Sequence, residues 1–178
     1  MTALQWVLLA VGIALIAGIV FFVWQRQRSQ RLRRDFGPEY ERTVEEAGQR
    51  EGEAELRDRV ERRRSLDIRP LSADARARYS DSWRLIQERF VDHPVQAIRA
   101  ADDLVQQVMN ERGYPTEDFE QQASDLSVDH SDVVMTYREA HDASLKSDRG
   151  QASTEELRKA MVGYKSLFDR LLEEPVSR

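Results

Sequence analysis

From Trp6 to Trp24 the chain runs for nineteen residues without one charged or strongly polar side chain. As a helix such a run is about 28 Å long, close to the thickness of a bilayer's hydrocarbon. A Trp closes each end, where an amphipathic ring prefers the headgroup level. A cleaved signal peptide would need a basic region before the apolar core and small residues at a cleavage site. The segment Met-Thr-Ala-Leu-Gln ahead of the run carries no Lys or Arg, and the run ends in Phe21-Phe22-Val23-Trp24. The expectation is a retained transmembrane helix over residues 4–25.

The flanks set an orientation. Arg26, Arg28, Arg31, Arg33 and Arg34 all lie on the C-terminal side. Basic residues stay cytoplasmic, so the N-terminus is expected outside and the body in the cytoplasm of a single-pass membrane protein. A juxtamembrane Arg cluster of this size is also a candidate ligand for anionic lipid, beyond its part in topology. Ala10, Ala14 and Gly18 recur four apart and put small side chains on one face of the span. Such a face lets two helices approach closely and makes a homo-oligomer an expectation to test.

Beyond the flank the balance of charge reverses. Residues 1–34 carry five Arg and no acid, whereas residues 35–178 carry 22 Lys and Arg against 32 Asp and Glu. An acidic body argues against nucleic acid as the main partner, because phosphate binding needs a positive field. The chain has no cysteine, which excludes disulfides, thiolate zinc sites, iron–sulfur clusters and a Cys nucleophile. Its 178 residues suit one domain with an appendage.

Residues 26–70 form the appendage: a basic juxtamembrane stretch and then a charged helical linker. Phe36-Gly37-Pro38 should break the first helix, Gly fitting the position past a helix end and Pro the first turn of the next. The stretch to Arg64 is dominated by charge, with Glu53→Arg57 and Glu55→Arg59 in the favoured i,i+4 order. Tyr40, Val44 and Ala47 share one face, and Leu56 and Val60 lie on another phase. No heptad seam runs through them, and Gly48 and Gly52 weaken the middle. The expectation is a solvated helical spacer, ended by Asp67-Ile68-Arg69-Pro70.

Residues 71–178 read as an all-α bundle of about five helices. Ser72 can cap a helix striped by Tyr79, Trp83, Ile86 and Phe90. Asp92 or His93, with Pro94, opens a second, which carries Ala97, Ile98, Ala101, Leu104, Val105, Val108 and Met109 to Gly113. Pro115 is expected to open a short third helix with Phe119, Ala123 and Leu126. A fourth is expected to begin near Asp129 and run to Gly150. The last opens on the capping box Ser153-Thr154-Glu155-Glu156. No stretch alternates with a period of two, so helix packs on helix around one core.

The motif search is largely negative. The glycines make no phosphate-cradling loop, and there is no Gly-x-Ser-x-Gly, His-Glu-x-x-His or calcium loop. No cofactor is implied. One constellation carries possible chemistry: Asp125, Asp129, His130 and Asp132 fall within eight residues at an expected helix start. Carboxylates and an imidazole at that density are metal-ligand types. Acids at a helix N-terminus also serve as caps, and that structural reading is the stronger. His130 and His141 stand three turns apart, too far to share one ion.

Several strings are familiar together: Arg-Asp-Phe-Gly-Pro-Glu-Tyr at 34–40, Arg-Phe-Val-Asp at 89–92, Asn-Glu-Arg-Gly-Tyr-Pro at 110–115, the run from Asp118 to His130, and the run from Ser153 to Met161. They resemble a family of uncharacterised bacterial proteins with an N-terminal membrane segment, a charged helix and a helical domain. The resemblance implies architecture and a bacterial source, and no activity. Ser131 stands where that pattern leads one to expect Pro.

The function expected from these features is non-enzymatic: a membrane-tethered helical domain that binds an unidentified protein partner as an adaptor or scaffold. One alternative is a metal-dependent enzyme or sensor using the Asp125–Asp132 cluster. Another is a structural protein that organises the membrane through its Arg flank and self-association.

Overall fold

The computed structural model of the chain describes residues 16, 18–20, 22 and 26–173. Regular structure among them is helical throughout: α1 (26–36), α2 (Pro38–Ala47), α3 (Gln49–Ser65), α4 (Ala73–Phe90), α5 (Pro94–Arg112), α6 (Phe119–Asp129), α7 (Val134–Asp148) and α8 (Thr154–Leu172). The expected all-α bundle is therefore the architecture, built from α4 to α8. No helix among the described residues is long and apolar enough to cross a membrane. Most of the expected span, including Trp6, Trp24, Ala10 and Ala14, lies outside the described residues.

The local signals explain most boundaries. Ser72 accepts a hydrogen bond from the Ala75 amide, which fixes the start of α4. Pro94 occupies the first turn of α5, and Gly113 ends it in the left-handed conformation. Ser153 and Glu156 cap each other's backbone at the start of α8, forming both halves of the capping box. Two expected starts are corrected. Pro115 lies in the loop, and α6 begins at Phe119 because the Asp118 carboxylate accepts from the Gln121 amide. A new helix does not begin near Asp129. That residue closes α6, His130 is its C-cap, and α7 starts at Val134.

The core follows the expected stripes. Trp83 and Ile86 from α4, Ile98, Val105 and Val108 from α5, Tyr137 from α7, and Tyr164, Leu167 and Phe168 from α8 are buried together. Trp83 stacks on Phe168 with ring centroids 4.7 Å apart, and Tyr137 meets Tyr164 edge-on at 6.0 Å.

The linker is not the solvated spacer that its composition suggests. Gly48, at φ 85°, ends α2 and turns the chain back, so α2 and α3 form a hairpin. Gly52 faces α2 so closely that a Cβ there would lie 3.0 Å from the Thr43 carbonyl oxygen. The two apolar phases read in the sequence thus meet across the hairpin. Leu32 and Phe36 of α1 join Tyr40 and Leu56 in a second small core, with Val44, Val60 and Val128 against it. Val128 belongs to α6, so this core joins the hairpin to the bundle.

Candidate functional site

Three groups of polar side chains bear on function, and each is built where helices cross. The first is the acidic set 125–132. Asp125, fully buried on α6, accepts from Arg62 Nε at 3.0 Å and from Gln121 at 3.1 Å. Asp129 accepts from Arg63 and from the Tyr114 hydroxyl, the latter at 2.7 Å. Asp132 pairs with Arg170 of α8. Each carboxylate therefore faces its own guanidinium, and the three do not converge on a shared point. Among the described residues no group of three or more acids and histidines is arranged to hold a metal. Asp125 and Asp129 do not sit at a helix N-terminus; Asp132 lies in the turn just before the α7 N-cap Val133, where it pairs with Arg170 and makes no cap. Asp129 lies in the last turn of α6, where the helix dipole is unfavourable to an anion, and Arg63 supplies the compensating charge.

His130 shares the Tyr114–Asp129 corner. Its Nε2 is buried without a hydrogen-bond partner. Burial pushes its imidazole down to about 4 from an ordinary 6.5. The folded chain then binds fewer protons than the unfolded chain between those values. Stability is complete above about pH 6.5 and falls as acid is added through the window down to about pH 4. The shift corresponds to about 3 kcal/mol over the whole window, of which about 2 kcal/mol falls between pH 6.5 and pH 5. Denaturant titrations at those two pH values should show that loss in the wild-type chain. His130→Gln should show less than half of it. Equal losses in both chains would remove His130 from the account.

The second group is a buried ionic cage between the hairpin and the bundle. Glu39, in the first turn of α2, has no solvent exposure. Its Oε1 accepts from Arg42 Nη2 at 2.7 Å, Arg59 Nη1 at 2.8 Å and Arg138 Nη2 at 3.2 Å. Those cations come from α2, α3 and α7. The outer ends of Arg59 and Arg138 are held by Glu55 and Glu120, each at 2.5 Å. Burial works to raise the Glu39 carboxyl, but hydrogen bonds and charge from Arg42, Arg138 and Arg59 outweigh it and hold it below its ordinary value. The carboxylate is thus ionised, and it ties three helices at one point.

The third group lies inside the bundle. His141 of α7 stacks on Phe119 at 3.7 Å, and its Nδ1 is 3.9 Å from Asp102 Oδ1 of α5. Both atoms are buried without a hydrogen bond, as is the Tyr164 hydroxyl. Burial pushes that phenol well above its ordinary range. An acid, an imidazole and a phenol close together could move a proton. Among the described residues, the surface grooves between α7 and α8 and beside α1 are not lined by these three residues.

No family model, curated protein or solved structure matches the chain. Its functional reading rests on its own residues.

The five arginines that follow the apolar run, Arg26, Arg28, Arg31, Arg33 and Arg34, are all solvent-exposed on α1. Arg33 also pairs with Glu41 at 2.7 Å and lies over the Tyr40 ring at 5.6 Å. Arg26 and Arg33 line the groove beside α1, which has a volume of about 560 Å³. Reading the sequence missed the cage entirely. Glu39 looks like any first-turn acid, and two of its three arginine partners lie 20 and 99 positions away. The available signal was the pair of sparse apolar phases flanking Gly48, which implies a hairpin that must dock somewhere.

Proposed function

We propose that the chain is a single-pass membrane protein whose helical bundle serves in the cytoplasm as an adaptor for a protein partner. The observation that carries the anchor is the state of its N-terminal apolar residues. Ile16, Ile19, Val20 and Phe22 are each more than 60% exposed. Large apolar side chains in such a contiguous set call for a lipid or protein environment. The uncharged run to which they belong has the length of a span, and the Arg flank favours a cytoplasmic body.

The fold adds a mechanical argument for an adaptor. α1 carries Leu32 and Phe36 directly into the small core of the α2–α3 hairpin, and the Glu39 cage joins that hairpin to α7. A bundle attached in this way is held at a set distance and orientation from the anchor. From Arg26 to Phe36 the helical rise is about 15 Å. The exposed arginines would then lie within reach of anionic headgroups, at about 1 kcal/mol for each one near the surface.

Two measurements test this reading. The full chain should stay with membranes through an alkaline carbonate wash, and a C-terminal phosphatase fusion should be inactive outside the cytoplasm. Extraction by carbonate would remove the anchor, and an active fusion would reverse the topology. Affinity capture of the full chain from cross-linked membranes should retain a specific protein. Retention of nothing above background would remove the adaptor reading.

A further inference from the structure

α1 and the α2–α3 hairpin form an arm with a small core of its own, Leu32, Phe36, Tyr40 and Leu56. From the bundle, Val128 of α6 packs against that core. Around Val128 the joint is polar. Glu39 accepts from Arg138 of α7 at 3.2 Å, and Arg59 donates to the Ser127 hydroxyl at 3.4 Å. Arg62 donates to Asp125 at 3.0 Å, and Arg63 pairs with Asp129. The Arg63 guanidinium also lies 5.9 Å from the centre of the Tyr114 ring.

Each buried ion of the joint also has a partner on its own side. Within the arm, Glu39 keeps Arg42 at 2.7 Å and Arg59 at 2.8 Å, and Arg59 keeps Glu55. Within the bundle, Arg138 keeps Glu120, Asp125 keeps Gln121 and Asp129 keeps Tyr114. Among the described residues, Arg62 and Arg63 find their acids across the joint, and their side chains are 45% and 21% exposed. Parting the two sides therefore strands no buried charge, and a stranded charge is what makes breaking most buried pairs costly. The chain also has a place to bend. It leaves α3 at Leu66 in extended backbone. From Asp67 onward it is held to the bundle. The Asp67 carbonyl oxygen lies so close to Gly113 that a Cβ there would stand 2.4 Å away, and the Arg69 amide donates to the Arg112 carbonyl at 2.9 Å.

We propose that this joint is an ionic latch. The arm swings away from the bundle as one folded unit about Leu66 and closes again, and ionic strength sets the balance. Salt weakens the closed state, because Arg62 and Arg63 reach solvent, where charges are screened. Opening gives up the Val128 contact and the pairs to α6 and α7 but leaves both cores intact, as in a sub-global opening. Closed, the arm fixes the orientation of the bundle. Open, it leaves the bundle on a hinge and shows Asp125, Ser127 and Asp129 of α6 to solvent. The latch lies wholly within residues 26–173 and does not depend on the membrane reading.

The chain has no cysteine, so introduced thiols carry spin labels at chosen sites alone. Glu45→Cys on α2, Asp58→Cys on α3, Leu85→Cys on α4 and Asp142→Cys on α7 all fall at exposed positions. In full-length protein in mild detergent, the Glu45→Cys and Asp142→Cys pair spans the joint. It should give one distance at low salt and a second, longer one at about 1 M salt, where screening acts beyond roughly 3 Å. Arg63→Gln should raise the share of the longer distance about fivefold at fixed salt. Arg170→Gln removes the same charge from the Asp132 pair inside the bundle and should leave that share unchanged. The pair within the arm, Glu45→Cys with Asp58→Cys, and the pair within the bundle, Leu85→Cys with Asp142→Cys, should keep their distances throughout. Three results would overturn the latch: a cross-joint distance indifferent to both salt and Arg63→Gln, an equal response to Arg170→Gln, or a distance within the arm that spreads along with the cross-joint one.

Discussion

Glu39→Ala is expected to destabilise the full chain by about 3–5 kcal/mol, because it leaves Arg59 and Arg138 buried without their shared counter-charge. The guanidiniums have little room to escape. Their side chains are only 6% and 11% exposed, and the Nε of each is already unpartnered. Glu39→Gln keeps the shape but not the charge and should also be strongly destabilising. Arg42 is different. It is 22% exposed, its loss leaves Glu39 with Arg59 and Arg138, and its other partner Glu46 is open to water, so Arg42→Ala should cost less. Replacing the three deeply buried members together, as Glu39→Leu, Arg59→Met and Arg138→Met, should recover most of the loss, since a well-packed apolar set often equals a buried ionic one. Urea denaturation of the series reads this directly. A loss below about 1 kcal/mol for Glu39→Ala would mean that the cage behaves as a surface pair.

Acid should act on the same site. Because the folded chain holds the Glu39 carboxyl below its ordinary 4.5, its contribution is present above that value and is lost as pH falls through the folded one. The His130 effect comes earlier, at mildly acid pH, so the two contributions separate along a pH series.

The second large effect is expected at Trp83. Its side chain is 2% exposed and stacks on Phe168, joining α4 to α8. Trp83→Ala removes that ring and leaves a cavity, at a cost of about 3–5 kcal/mol. Trp83→Phe should cost much less, within about 1.5 kcal/mol, because it keeps an aromatic ring near its neighbour. It also removes an indole N–H that is buried with no acceptor, which offsets part of the lost volume. Equal losses from both substitutions, measured as midpoint and slope in denaturant, would mean that ring size rather than the presence of a ring sets the packing here.

Both sites bear on what can be read from one chain. Trp83 was legible, because Tyr79, Trp83, Ile86 and Phe90 recur at helical spacing and such a stripe must face a core. Glu39 was not, because nothing local distinguishes a buried first-turn acid from an exposed one. The acids near residue 129 show the same limit from the other side. Their density suggested a helix start and metal-ligand chemistry. Their real setting runs from the middle of α6 to the turn before α7, each carboxylate on an arginine of its own, Arg62, Arg63 or Arg170, drawn from α3 and α8. Helix boundaries were legible where a cap is made by neighbours in sequence, as at Ser72 and Ser153. Asp118 caps α6 in the same local way, on the Gln121 amide, but Pro115 offered a competing start just before it; at Val134 no side chain caps the helix, so nothing local marks the start of α7.

The sequence by itself determined the class of structure: helical period, caps, breakers and the apolar faces of α4, α5 and α8. These follow from interactions within about four residues, whose energetics are the same in any chain. Only the tertiary structure decided which charges are buried and which opposed. Those outcomes depend on pairs 20 to 99 positions apart in the cage, and on the register of α7 against α8 at the groove. A charge is stabilising or costly according to its neighbours in space and the water it loses, and neither is encoded at its own position.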